Sequence, residues 1–166
     1  MRTTVLIGAA ALLLAAPLAA RQSLGVFEDW AAFRDPPARG TTERCYAIAS
    51  SAAAEGRTTR PFASVGFWPD QGVRGQFYMK LSRPPGRGAP VTLTVGRRNF
   101  TLQVRGDEAW AKDRTMDAAI LAAMRASRSM RARARDADGK RFADSYELAG
   151  AATAIDAATL ACANRR

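Results

Sequence analysis

The feature that most constrains this chain is the alternation of apolar and polar residues at every second position. It is clear in residues 91–95 and 99–104, which flank a short Gly-Arg-Arg segment, and again in residues 129–135. Residues 129–136 and 141–148 are separated by a turn that contains Asp138 and Gly139. Because successive side chains of a strand point to opposite faces, this period predicts half-buried antiparallel strands joined by hairpins.

The remaining segments complete a fold prediction. Strands are expected at residues 44–50, 61–68 and 75–82, while residues 24–33 form either a strand or a short helical turn. Apolar residues at helical spacing predict a helix that Asp113 or Thr115 caps and that ends near Ser127, and an Ala-rich segment follows Gly150. The predicted fold class is mainly β: an antiparallel β-sandwich-like domain with one inserted helix and a C-terminal helical segment.

The first twenty residues are typical of a secretory signal peptide. Arg2 precedes an apolar stretch, Pro17 breaks it, and small residues extend to Ala20. The alternative is an uncleaved membrane anchor, because the uncharged stretch reaches the roughly 18 residues of a minimal span. We expect residues 1–20 to be the signal peptide and residues 21–166 to form a single periplasmic domain, with no stable membrane span after cleavage.

Two cysteines lie near the two ends of the expected mature chain, Cys45 and Cys162. Cysteines of exported proteins usually pair, so these two are predicted to form a structural disulfide. The alternative is a reactive thiol, which needs an activating partner that is usually histidine. The chain contains no histidine.

The lack of histidine excludes several function classes: serine or cysteine triads built on histidine, and histidine-ligated zinc, haem or copper. No catalytic residue, metal site or cofactor is predicted. With 25 Lys+Arg against 15 Asp+Glu, the formal net charge of +10 would permit nucleic-acid binding. Export removes that partner, and the expected partners are envelope proteins or anionic envelope components.

An arginine row stands out within this positive charge. Arg131, Arg133 and Arg135 share one face of a predicted strand, and their guanidinium groups suit phosphate or carboxylate groups. These three residues are the candidate anion-binding site. The alternative is a solvated strand face that discourages edge-to-edge aggregation.

Two further groups of residues have a functional and an ordinary interpretation. Phe67, Trp68, Phe77 and Tyr78 either line a groove for a peptide or glycan or belong to the core and its rim. The carboxylate pairs Asp107/Glu108 and Asp136/Asp138 either serve a small carboxylate-dependent cell-wall hydrolase or are turn residues. The hydrolase is the alternative function.

From residue 109 to residue 158 the order of segments resembles the invasion-associated locus B family of exported alphaproteobacterial proteins. The matching pieces are a helix ending at residues 124–130, the Asp136-to-Gly139 turn between two strands, and the LAGAATAI segment at residues 148–155. Trp30 before Cys45 is similar to the opening of that family. The chain departs from the pattern in having only two cysteines and in having Ala151 where the family commonly has Phe.

The resemblance implies an exported cell-envelope protein, and the family is associated with host-cell invasion in some pathogens. Its shared motifs are turns and core positions, which transfer architecture better than function. The predicted function is therefore a non-enzymatic interaction or structural module in the periplasm.

Overall fold

The computed structural model describes residues 20–38, 40–51 and 60–163, which form ten antiparallel strands, two α-helices and one turn of 3₁₀ helix at Pro69–Gln71. The strands are β1 (Gln22–Phe27), β2 (Trp30–Asp35), β3 (Arg44–Ser50), β4 (Phe62–Trp68), β5 (Val73–Lys80), β6 (Val91–Val95), β7 (Arg98–Arg105), β8 (Glu108–Trp110), β9 (Ser129–Arg135) and β10 (Arg141–Glu147). The helices are α1 (Arg114–Arg125) and α2 (Ala151–Ala163).

The strands form one sheet in the order β1-β2-β3-β4-β5-β8-β7-β6-β9-β10. Strand β7 joins its two halves, because Arg98 to Leu102 pair with β6 whereas Gln103 to Arg105 pair with β8. Alternate residues of the strands point inward, and apolar side chains from both halves form one core.

The last strand of the sheet lies against the first half. The indole Nε1 of Trp30 in β2 donates to the carbonyl of Glu147 in β10 at 2.9 Å. The backbone N–H of Ser82, just after β5, donates to the Asp144 carboxylate at 2.9 Å. These contacts join residues far apart in the sheet order, so the sheet bends back on itself around the core, as a β-sandwich-like domain requires.

Helix α1 begins where Asp113 accepts a hydrogen bond from the backbone N–H of Met116 at 2.8 Å, the usual way to satisfy a free N–H in the first turn. Its apolar face buries Ile120, Ala123 and Met124. The Asp117 side chain accepts the backbone N–H of Phe77 at 2.8 Å, which fastens the helix to β5. Burial raises the pKa of Asp117.

Helix α2 packs on β1, β2, β3 and β4 through small residues. Ala151, Ala154 and Ala158 are fully buried, so the helix axis can approach the sheet closely. Cys162 in its last turn forms a disulfide with Cys45 in β3, with 5.9 Å between the two Cα atoms. The C-terminal helix is therefore covalently bonded to an inner strand.

The predicted fold class is confirmed: an antiparallel, mainly-β domain with one inserted and one C-terminal helix. Strand predictions at residues 44–50 and 91–95 match the observed bounds. The stretch at residues 24–33, left open as strand or helical turn, is part of the β1–β2 hairpin. Asp113 is the residue that caps α1, which ends at Arg125, two residues before the expected end.

The interpretation of Asp107 and Glu108 as turn residues was correct for Asp107 and wrong for Glu108, which begins the short strand β8. This strand pairs with both β5 and β7. The predicted signal peptide lies outside the described residues, apart from Ala20. Neither helix in the described ranges is long and apolar enough to cross a membrane.

Candidate functional site

The arginine row lies on the outer face of β9. Met130, Ala132 and Ala134 are buried, and the alternating Arg131, Arg133 and Arg135 are exposed. This alternation of buried and exposed side chains is expected of a strand that packs one face on the core. The sequence prediction that the three guanidinium groups share one face is therefore correct, while their role in anion binding stays a prediction.

The neighbouring strand adds a fourth cation. Arg141 in β10 lies directly opposite Arg135 in β9, and like charges in that position repel. We call Arg131, Arg133, Arg135 and Arg141 the arginine face. Within residues 20–38, 40–51 and 60–163, none of the four forms a salt bridge. Six salt bridges in those ranges hold other cations, and further exposed cations there also have none, so what distinguishes the arginine face is that four unpaired guanidinium groups lie together on two adjacent strands.

Two members of the arginine face make hydrogen bonds that hold them along the hairpin. Arg131 Nε donates to Ser145 Oγ at 2.8 Å, and Arg135 Nη1 donates to the Gly139 carbonyl at 2.9 Å. A depression of about 600 Å³ lies at the turn end of this hairpin, where Arg133, Arg135 and Arg141 line it together with apolar residues that include Pro90 and Phe142. Guanidinium groups grouped in this way can bind a phosphate or carboxylate through two parallel N–H donors.

The two aromatic pairs are divided between the faces of the sheet. Phe67 and Phe77 are buried in the core, whereas Trp68 and Tyr78 are partly exposed on the outer face. The Tyr78 hydroxyl donates to Glu108 Oε1 at 2.8 Å. Burial, together with this hydrogen bond, raises the pKa of Tyr78 to about 12, so the phenol stays a neutral donor.

The carboxylate pairs are engaged in structural contacts. Asp107 forms a salt bridge with Lys80 at 3.0 Å, and Glu108 accepts the bond from Tyr78. Asp136 accepts a hydrogen bond from Arg83 at 2.9 Å, which holds its pKa below the usual value, and it also accepts the backbone N–H groups of Asp138 and Lys140. Turn stabilisation accounts for Asp136 without catalysis.

Cys45 and Cys162 are joined in the disulfide, as predicted, so neither is a thiol. In the part of the chain that the structure describes, no three His, Cys, Asp or Glu residues are grouped as metal ligands would be.

Sequence reasoning missed a polar group inside the core. Asp144 and Tyr146 point inward from β10, and the backbone of Ser82 reaches Asp144. Among the described residues the Tyr146 hydroxyl and the second Asp144 oxygen have no hydrogen-bond partner. Burial, with the nearby Asp144 charge, raises the pKa of Tyr146. The alternation of apolar and polar residues along β10 predicts that both side chains point inward. The sequence of β10 does not predict which groups from other segments they contact.

Sequence reasoning also missed an ion cluster at the other end of the sheet. Asp35 accepts hydrogen bonds from Arg21 and from Arg44, each at 2.8 Å. Burial alone would raise the pKa of Asp35, and the two guanidinium groups outweigh burial and lower it. Arg21 and Arg44 also lie near the Tyr46 ring, with 5.6 and 5.4 Å from each guanidinium carbon to the ring centroid.

The fold and its contacts define a class of protein: an antiparallel β domain that carries two helices and a disulfide-bonded C-terminal helix. A solved structure with the same fold is that of invasion associated protein B from Bartonella henselae. The two superpose with a TM-score of 0.63 at 15% sequence identity, over 87% of this chain and 99% of that chain. No family model and no curated protein matches the sequence. The likeness shows a shared fold, in line with the resemblance in the C-terminal third.

Proposed function

We propose that this chain is an exported, non-enzymatic protein of the bacterial cell envelope that binds anionic groups through the arginine face. The observation that carries the proposal is the set of four exposed guanidinium groups on β9 and β10 with no salt bridge among the described residues. Repulsion between Arg135 and Arg141 makes the empty hairpin less stable, and a bound phosphate or carboxylate would relieve that repulsion.

Three further observations support the exported envelope setting. The Cys45–Cys162 disulfide suits an oxidising compartment. The first twenty residues have the composition of a signal peptide. The fold is shared with a protein whose name links it to invasion. Phosphate groups of anionic lipids and lipopolysaccharide are the polyanions that such a protein meets.

The test compares two triple variants of the mature chain, residues 21–166, on vesicles of phosphatidylglycerol. One variant changes Arg131, Arg133 and Arg135 to Gln. The matched control changes the exposed Arg74, Arg97 and Arg105 to Gln, which removes the same charge elsewhere. Near an anionic surface each cation contributes about 1 kcal/mol, so the first variant is expected to bind roughly 100-fold more weakly.

The control variant is expected to lose less than about tenfold, because its three arginines are not grouped on one face. Equal losses in both variants would mean that only net charge matters, and the arginine face would not be a binding site. Unchanged binding in the first variant would also contradict the proposal. Vesicles of phosphatidylcholine give the background for an uncharged surface.

A further inference from the structure

A second surface, separate from the arginine face, has the form of a ligand groove. It lies on the outer face of β3, β4 and β5, where it encloses about 540 Å³. This is within the range of roughly 300–1,000 Å³ that small-ligand sites occupy. We call it the aromatic groove, and it is lined by Tyr46, Phe62, Ser64, Gly66, Trp68 and Tyr78.

The strand register explains why a groove forms here. Gly66 lies between Tyr46 and Gln76 on the neighbouring strands, and Ser64 lies between Ile48 and Tyr78. Small residues of the middle strand are thus flanked by larger ones on both sides. Paired residues of adjacent strands point to the same face, so the side chains leave a trough along β4.

Trp68 covers one end of this trough. A Cβ atom added to Gly66 would lie 2.4 Å from two carbons of the Trp68 six-membered ring. The indole therefore leans back along β4 over Gly66, and only glycine at position 66 permits this. Phe62 and Tyr78 form a second aromatic contact in the groove, with 5.8 Å between their ring centroids.

The backbone of the groove is not available to a ligand. Strands β3 and β4 are paired on both sides, and β5 pairs with β8 at Tyr78, Met79 and Lys80. The next N–H along β5, that of Phe77, donates to the Asp117 carboxylate of α1. A peptide that adds a strand to a sheet needs a free edge. Recognition in the groove must therefore use side chains: aromatic faces, the Ser64 hydroxyl and the Gln76 amide.

The charges around the groove are arranged asymmetrically. At the β3 side, two cations, Arg21 and Arg44, share one carboxylate, Asp35, which leaves an excess of one positive charge. At the β5 side, Glu108 holds the Tyr78 hydroxyl. An anionic group on a ligand is therefore attracted to the β3 side, beside Tyr46.

We propose that the aromatic groove binds a carboxylated glycan, with a pyranose ring packed on Trp68 and the carboxylate paired with Arg44 and Arg21. The apolar C–H face of a pyranose suits an aromatic surface, and its hydroxyl groups suit Ser64 and Gln76. The Arg21–Asp35–Arg44 cluster accepts the carboxylate without the burial of an unpaired charge.

The test is calorimetric titration of the mature chain with a tetrasaccharide of alternating N-acetylglucosamine and glucuronic acid. Trp68→Ala is expected to weaken binding at least about tenfold, and Trp68→Phe to restore most of it. Gly66→Ala is expected to act like Trp68→Ala, because it displaces the ring without removing it. Leu160→Ala, an exposed change on α2, is the control and is expected to leave binding unchanged.

A second set of variants tests the role of charge in binding. Arg44→Gln is expected to weaken binding of this acidic tetrasaccharide and to leave binding of neutral N-acetylglucosamine tetrasaccharide unchanged. Arg131→Gln, on the arginine face, is expected to change binding of neither tetrasaccharide.

Three results would overturn the proposal. The first is that the acidic tetrasaccharide does not bind, and the second is that Trp68→Ala and Trp68→Phe bind it equally well. The third is that tetraglutamate binds more tightly than the tetrasaccharide. Thermal unfolding of each variant confirms that the fold is intact. Vesicle binding tests the arginine face independently.

Discussion

At the scale of single residues, Gly150 sets the position of the C-terminal helix. Its φ of +79° lies in the left-handed region, and a Cβ atom there would be 1.8 Å from the carbonyl oxygen of Phe27. The chain can pass this close to the β1–β2 turn only because glycine has no side chain. Helix α2 begins at the next residue, so its start depends on this contact.

Gly150→Ala is therefore expected to lower the free energy of unfolding by about 2 kcal/mol or more, since it adds a clash to the strain of a positive φ. The matched control is Gly139→Ala in the β9–β10 turn. Its φ is +75°, but a Cβ atom there meets nothing within 4 Å, so only about 1 kcal/mol of backbone strain is expected. Urea unfolding measures both, and equal losses would contradict the role of the Phe27 contact.

Asp35 gives the molecule a defined response to acid. Its pKa is lower in the folded chain than in the unfolded chain, so it stabilises the fold above about pH 4 and loses this contribution as the pH falls through the folded pKa. Asp35→Asn should cost no more than about 1 kcal/mol near neutral pH, because Arg21 and Arg44 are about half exposed.

The difference in unfolding free energy between wild type and Asp35→Asn should begin to shrink below about pH 4 and should continue to shrink as a series that starts near pH 7 is extended to about pH 2. Asp138→Asn, in the exposed β9–β10 turn, is the control. A gap for Asp35→Asn that is constant over the series would show that the ion cluster does not stabilise the fold.

At the scale of elements, alternation predicts the strands whose two faces differ most, such as β6 and β9. It does not predict β8, which has three residues and follows a Gly-Asp turn. A strand of three residues shows only one period of alternation, which is too short to distinguish it from a loop. Strand β8 is stabilised by pairing with β5 and β7, and its own sequence does not show that these strands are its neighbours.

The two candidate surfaces also differ in how far the sequence predicts them. The row of Arg131, Arg133 and Arg135 lies on one strand, so sequence periodicity is enough to predict it. Arg141 joins the row only through the register of β10 against β9. The aromatic groove needs three strands in register, and Arg21 reaches it from outside them, so sequence reasoning found only Trp68 and Tyr78 of its lining.

The disulfide that bonds helix α2 to β3 gives a prediction about stability. The disulfide closes a loop with a sequence separation of 117 residues, and in the chain-entropy model such a loop contributes about 4–5 kcal/mol to stability. Reduction should lower the free energy of unfolding by about this amount. A Cys45→Ala, Cys162→Ala double variant should start at the lower value and show no response to reductant. No change on reduction of the wild type would mean that α2 holds without the bond.

At the scale of the whole molecule, two outer surfaces with different chemistry lie on separate parts of one sheet. The arginine face on β9 and β10 is the proposed site for anionic groups, and the aromatic groove on β3 to β5 is the proposed site for a carboxylated glycan. Helices α1 and α2 are joined by the Arg125–Asp156 salt bridge at 2.6 Å. A disulfide-bonded domain with two such proposed sites is consistent with the proposed role as an interaction module in the envelope.

Export to the cell envelope underlies the proposed function, and fractionation of the native bacterium with thiol labelling tests it directly. Cells are treated with an alkylating reagent, separated into periplasmic and cytosolic fractions, and the protein is then analysed by mass. An exported protein is expected in the periplasmic fraction, beginning near Arg21, with Cys45 and Cys162 joined and unlabelled. A full-length cytosolic protein with both thiols labelled would contradict it.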